Sequence, residues 1–189
     1  MQIKAKDVFG VGNAWKHFRT ITRHRHAVIK HCRKAGIFWQ GLWHDLSKYS
    51  PTEFLAGVRN FQGTRSTNEQ EREQYGYSSA WLHHKGRNRH HFEYWTDYKP
   101  STRRMEPVKM PLKYVVEMFC DRVAAGKIYK GKNYTDQSSL DYFMGGKPTR
   151  VIHPETSDIL EMLLRMLVEK GEDETFRFIR EYCKTHQDY

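Results

Sequence analysis

The sequence predicts a single all-α domain of about six to eight helices, and three observations carry that expectation. Apolar residues recur at the three- and four-residue spacing of a helix in segment after segment. No alternating apolar run is long enough for the core of a sheet. The chain has 189 residues, the length of one ordinary domain, which buries a sizeable core without disulfide or metal staples.

The elements follow in order. Residues from about Asn13 to Ala35 form a helix, with Trp15, Phe18, Ile21, Val28, Ile29 and Cys32 as its apolar stripe, basic residues between them and Gly36 as its stop. A second helix runs from about Ile37 to Tyr49 through Phe38, Trp39, Leu42, Trp43 and Leu46. Ser50-Pro51-Thr52-Glu53 is a restart: Ser50 caps, Pro51 takes the first helical position and Glu53 completes a capping box. Gln62 to Gln74 is polar and reads as a loop over the site. From about Ser78 a helix resumes through Trp81 into His83 and His84, with Gly86 and Asn88 as interruptions before His90 and His91. Asp97 to Met110 is loop-like. Pro111 opens a strong helix to about Ala125, burying Val115, Met118, Phe119 and Val123. Tyr129 to Arg150 is irregular, and two C-terminal helices close the chain, at about Glu155–Glu169 and Glu174–Lys184.

Composition narrows the function. Lys and Arg total 32 against 22 Asp and Glu, a net charge of +10, which favours anionic partners: nucleic acid, nucleotides or phosphorylated metabolites. No apolar run is long enough for a transmembrane helix, so no membrane partner is expected. The first residues, Met1 to Lys6, lack the apolar core of a signal peptide. Cys32, Cys120 and Cys183 are odd in number and in no CxxC pair, which suits free thiols in a reducing cytoplasm. No GxxxxGK[ST] loop is present, so a P-loop nucleotidase is not expected. The Glu155–Glu169 helix could serve core packing or an oligomer face.

The residues with chemistry are histidines and aspartates. His44 and Asp45 are adjacent, offering an imidazole nitrogen and a carboxylate oxygen to one small volume, as a divalent first-row metal requires. On a helix they lie about 100° apart. His26 aligns with Thr22 and Ile29 at helical spacing and can border the core. His84 and His91, seven apart, would share a face of an unbroken helix, as would His83 and His90. Asp121 lies in an apolar segment, where a carboxylate is costly to bury unless it meets a cation. Glu117, one turn earlier, can orient a ligand. Lys48 follows His44 by one turn and can neutralise a phosphate, with Arg87 and Arg89 as further candidates.

The order His … His-Asp … His … His … Asp resembles the HD superfamily of metal-dependent phosphohydrolases. More narrowly, His44 to Phe54 and Ala80 to Trp95 look like a small bacterial and phage family of unknown function that is regarded as HD-like; that likeness covers most of residues 20 to 130, beyond which lie the C-terminal helices. The resemblance implies a metal-site core over about residues 13–130. It implies six ligands, His26, His44, Asp45, His84, His91 and Asp121, holding one or two divalent ions: Mn, Fe, Co, Ni or Zn, with Mg also admitted. It implies hydrolysis of a phosphate ester, a nucleotide first among them, with Asp45 and Lys48 catalytic and Lys48, Arg87, Arg89 and His90 at the substrate. Two other readings stand beside it. One is a nucleic-acid-binding module, suggested by the basic residues and interleaved aromatics of Arg87 to Trp95. The other is an HD-type di-iron oxygenase, which resembles the same six-ligand pattern.

Overall fold

The structure is a computed structural model and describes residues 11–63, 66–186 and 189. Among these residues the fold is all-α: eight α-helices, short 3-10 turns and one small hairpin. The long first helix, α1 (Val11–Ala35), ends at Gly36, whose φ of 86° is the left-handed conformation that glycine adopts without strain. It packs against α2 (Phe38–Trp43), α6 (Leu112–Lys130) and α8 (Pro154–Thr185). Helix α6 is the hub. Val115, Val116, Met118, Phe119, Cys120, Val123 and Ala124 are all buried, so this helix is covered nearly all round. It runs five residues beyond the expected end.

The buried face of α1 is His17, Ile21, His24, Val28, His31, Cys32 and Ala35. Trp15 and Phe18, expected in the stripe, are exposed and stack on each other with ring centroids 5.7 Å apart. The inward face is therefore turned away from them.

Two stretches expected to be irregular are helical. Residues 67–75 form α4 (Thr67–Tyr75), capped by Ser66, whose side chain accepts from the Asn68 N–H. Its carboxylate Glu71 is buried and accepts from the hydroxyls of Ser78 (2.6 Å) and Ser79 (2.7 Å), which ties α4 to the start of α5 (Ser79–Lys85). Helix α7 (Asp136–Gly146) starts on a capping box of Thr135 and Ser138 and buries Leu140 and Phe143. Helix α4 is held by its cap and Glu71, and α7 packs on α8 through only two large apolar side chains, so apolar periodicity does not reveal them. The 97–110 stretch, expected as loop, holds the antiparallel strands β1 (Thr96–Lys99) and β2 (Arg104–Pro107), pairing Thr96 with Pro107. They are mostly exposed and contribute no sheet core. The two expected C-terminal helices are the two arms of α8, which meet at Gly171 (φ 77°, ψ 174°). No helix among the described residues is long and apolar enough to cross a membrane.

Candidate metal centre

The expected helix over residues 37–49 is broken where the chemistry sits. Helix α2 stops at Trp43; His44 leaves with φ −53° and ψ 127°, and Asp45 takes the left-handed conformation, φ 54° and ψ 22°. A 3-10 turn, Leu46–Tyr49, follows. His44 and Asp45 are thus not helix neighbours but the corner of a turn, which points both side chains inward. Aspartate tolerates this backbone better than most residues. Arg25 of α1 fixes the corner by donating to the carbonyl of His44 (3.1 Å) and to that of Leu42. Gly41 lets α2 close on α1, since a Cβ there would lie 2.5 Å from the Cys32 Cβ.

Asp45 is buried and faces two sets of donors. Its Oδ2 lies 3.3 Å from His44 Nε2 and 3.9 Å from His24 Nε2. Asp121 Oδ1 completes this first set, 2.9 Å from His24 Nε2 and 3.6 Å from His44 Nε2. The other oxygen, Oδ1, lies 3.2 Å from His84 Nε2 and 3.5 Å from His90 Nε2. His91 joins this second set, its Nε2 2.9 Å from that of His84. His44, His90 and Glu117 form a third overlapping group.

The donors are prepared for a cation. An ionised carboxylate can only accept, so the histidine nitrogen facing one carries the proton. His44 Nδ1 (2.9 Å) and His90 Nδ1 (3.1 Å) donate to Glu117 Oε1, and His84 Nδ1 (2.7 Å) donates to Glu53 Oε2. With a cation in place of the protons on the opposite nitrogens, three Nε2 lone pairs would point into the centre, the arrangement by which a carboxylate orients a metal-binding imidazole. Gln40 in turn donates to Glu117 Oε2 at 2.5 Å.

The fit of a metal ion rests on buried atoms that make no hydrogen bond within the protein. His24 Nε2, His44 Nε2, His90 Nε2 and Asp45 Oδ1 are buried without a hydrogen-bond partner, while Asp45 Oδ2 meets the Lys48 ammonium at 2.6 Å. Their neighbours are close but not aligned as hydrogen bonds. An unsatisfied buried polar atom costs about 1–3 kcal/mol, so four in one volume point to a missing partner. These buried His and Asp groups could hold a metal ion, and two of the sets share Asp45.

The charges of the protein alone show the same strain. Burial disfavours the charge of Asp45, but His44 and Lys48 outweigh it and hold the carboxyl well below its ordinary range. Burial also opposes the His44 charge, yet Asp45 and Asp121 raise its pKa well above the usual value. Burial pushes Glu117 up, and its bonds from His44 and His90 bring it down to about 2. For His91 burial, then His90 and His84, lower the pKa. The lysine expected to face a phosphate, Lys48, reaches Asp45 Oδ2 at 2.6 Å.

Beside the second set lies a cavity of about 70 Å³, lined by Lys48, Glu53, His84, Thr20, Asn68 and Tyr129 among others. It has room for a few water molecules.

Five of the six expected ligands, His44, Asp45, His84, His91 and Asp121, are brought together. His26 is not: it is exposed on α1, and the histidine of that helix in the cluster is His24. Two residues separate them, about 200° around the helix, so only one can face inward. His84 takes the cluster position and His83 instead meets Glu53 Oε1 at 2.7 Å. His90, expected at the substrate, sits deeper than His91 and belongs to two donor groups. Arg87 and Arg89 do not reach the cavity: both are exposed, Arg87 donating to the His83 carbonyl and Arg89 lying over the Tyr94 ring. The expected capping box at Ser50 is half formed. Ser50 accepts from the Glu53 N–H, while the Glu53 carboxylate holds His83 and His84 instead. Glu53 and His24 were the residues missed. The signal for His24 was present as a seven-residue repeat of histidine, at 17, 24 and 31, in phase with Ile21 and Val28.

Searches of curated proteins and of solved structures return no match. A model of a family of unknown function, DUF5662, matches residues 13–166, which takes in every residue of the cluster and the first part of α8.

Proposed function

The chain belongs to the DUF5662 family, which brings no activity with it, and we propose from the site alone that the protein is a metal-dependent phosphohydrolase. The observation that carries this reading is the pair of donor sets on the two oxygens of Asp45. With His24 in place of His26, the order of donors along the chain keeps the resemblance to the HD superfamily. Nitrogen and oxygen donors without thiolate suit Mn, Fe, Co, Ni or Zn more than the all-oxygen preference of Mg. Two such ions, when bound, supply a water of lowered pKa and neutralise phosphoryl oxygens.

The protein's own residues do the rest. His24, His44, Asp45 and Asp121 hold one ion, and Asp45, His84 and His90, with His91 adjacent, hold the other. Glu117 and Glu53 keep the imidazole protons on Nδ1, so that Nε2 stays available. Lys48 stands between the Asp45 carboxylate and the cavity and offers its ammonium to a phosphate there. The cavity is the size of a phosphoryl group, so the remainder of the substrate, a nucleoside in the reading preferred, extends outside it.

A screen of the purified, metal-loaded protein against nucleoside mono-, di- and triphosphates with Mn, Co, Fe or Mg tests the reading. Turnover that Asp45→Asn abolishes is the expected outcome; no release of phosphate with any metal contradicts it. The three imidazoles of the second set also suit iron, and an oxygen-dependent reaction with tightly held iron would favour the oxygenase reading instead.

A further inference from the structure

Helix α1 has two faces, and the metal reading uses only the inner one. The helix has 25 residues and no Asp or Glu. Lys16, Arg19, Arg23, His26, Lys30 and Arg33 are all exposed. At about 100° per residue these six fall within an arc of about 100°, opposite the buried histidines. At about 1.5 Å per residue the row is about 26 Å long. Among the described residues no carboxylate forms an ion pair with Lys16, Arg19, Arg23, Lys30 or Arg33. Lys34, in line with Lys16 at the edge of the arc, is the one lysine of α1 that is paired among the described residues, and it meets Glu172 and Asp173. A row of like charges is self-repelling and stabilises nothing by itself, so its complement is a partner with regularly spaced negative charge.

Aromatic surface flanks the row. Trp15 lies at its edge and is 60% exposed. Helix α2 packs on the adjoining side of α1, around Arg25, Ile29 and Cys32. There it presents Trp39 and Trp43, one turn apart and 76% and 74% exposed. Large flat rings left in water beside unpaired cations are what unpaired bases stack on. The stretch that suggested nucleic-acid binding in the sequence, Arg87 to Trp95, lacks this character, because His90 and Phe92 are buried and Trp95 is half-buried.

We propose that the outer face of α1, with Trp39 and Trp43 beside it, is a docking surface for single-stranded nucleic acid. The phosphates lie along the Lys16–Arg33 row, and bases stack on the tryptophans. A row of this length takes about four or more nucleotides. A duplex would use the charges but not the rings. A lipid surface is disfavoured because an interfacial helix sinks its apolar face into the bilayer, and the apolar face of α1 is occupied by α6 and α8. The proposal rests on this surface alone and not on the metal centre.

Fluorescence anisotropy with labelled 12-residue DNA and RNA oligonucleotides of mixed sequence, single-stranded and as duplexes, tests it between about 50 and 200 mM salt. Single strands of either backbone are expected to bind, with log K falling against log salt at a slope of about −2 to −3.5, the value for three to five phosphates. The triple variant R19E/R23E/K30E is expected to bind on the order of 100-fold more weakly with its thermal melt unchanged. W39A/W43A is expected to lose about tenfold for single strands and the quenching of tryptophan fluorescence with it. Asp45→Ala is expected to leave binding intact, which separates this proposal from the metal reading. Any of these results would overturn it: no salt-sensitive binding by the wild type, equal binding by the charge-reversed variant, preference for the duplex, or binding of phosphatidylserine vesicles without binding of oligonucleotides. Loss of binding in Asp45→Ala would also overturn it, by placing the strand at the metal centre.

Discussion

His24 and His31 stand two turns apart on the same face of the same helix, and both are buried. Their surroundings make them different residues. His24 points its Nε2 at Asp121 and Asp45 and leaves it without a hydrogen bond. His31 stacks on Phe176 at 5.3 Å, and its Nδ1 lies 3.3 Å from the Cys120 carbonyl. Burial first, then Lys127, lower the pKa of His31 to about 4, so it is a neutral core residue. His17, one repeat earlier, packs on Phe54 and Phe61 and over Gly57, where a Cβ would lie 2.3 Å from its ring. Burial in a helix does not make a histidine a ligand. Carboxylates within reach and a nitrogen without a hydrogen bond mark His24 as a candidate.

That contrast can be broken by exchanging the two positions. His24→Ala is expected to weaken Mn²⁺ or Zn²⁺ binding by at least about 100-fold in titration calorimetry. His31→Leu is expected to leave it within about twofold, because the two sites share no partner. Equal losses in both variants would mean that His31 is no mere packing residue.

Supporting groups rank next. Glu117→Gln removes the acceptor that fixes the His44 and His90 tautomers, and metal affinity is expected to fall by about 10- to 100-fold with the helical circular dichroism retained. Gly41→Ala forces α2 off Cys32. It is expected to cost about 1–3 kcal/mol in a denaturant melt and to loosen the metal as the His44 corner shifts.

The smallest effect belongs to the His31 end of the molecule. There Glu172 meets Lys34 at 2.7 Å and also Lys127. Burial raises its pKa, but the two lysines bring it down to about 2. A depressed carboxylate stabilises the fold above its unfolded pKa of about 4.5. Glu172→Gln is therefore expected to cost about 1–2 kcal/mol at pH 7, since the lysines are partly in water. The gap between variant and wild type should close as pH falls from about 4.5 toward 2. A gap constant with pH would show that the ion pairs are not its source.

Much of the fold was legible because α1, α6 and the arms of α8 each bury a periodic row such as Leu160, Leu163, Leu164 and Leu167. Helices α4 and α7 were not, because α4 is fixed by Ser66 and Glu71 and α7 by Thr135 with two large buried residues. At the centre, His44, Asp45, His84, His91 and Asp121 could be read from residue type and order. His26 aligns with Thr22 and Ile29, which are only half-buried, whereas His24 lies on the buried face with Ile21 and Val28. The roles of Glu53 and Glu117 depend on contacts across 31 and 73 residues of chain, which local pattern does not encode beyond marking Glu117 as a neighbour of Asp121.

Anomalous scattering from crystals of protein purified without chelator tests the centre most directly. The account expects peaks bounded by His24, His44, Asp45 and Asp121 and by Asp45, His84 and His90, with Asp45 shared. Metal-loaded protein with its ions elsewhere, and with the His24 ring turned away from Asp121, would contradict it.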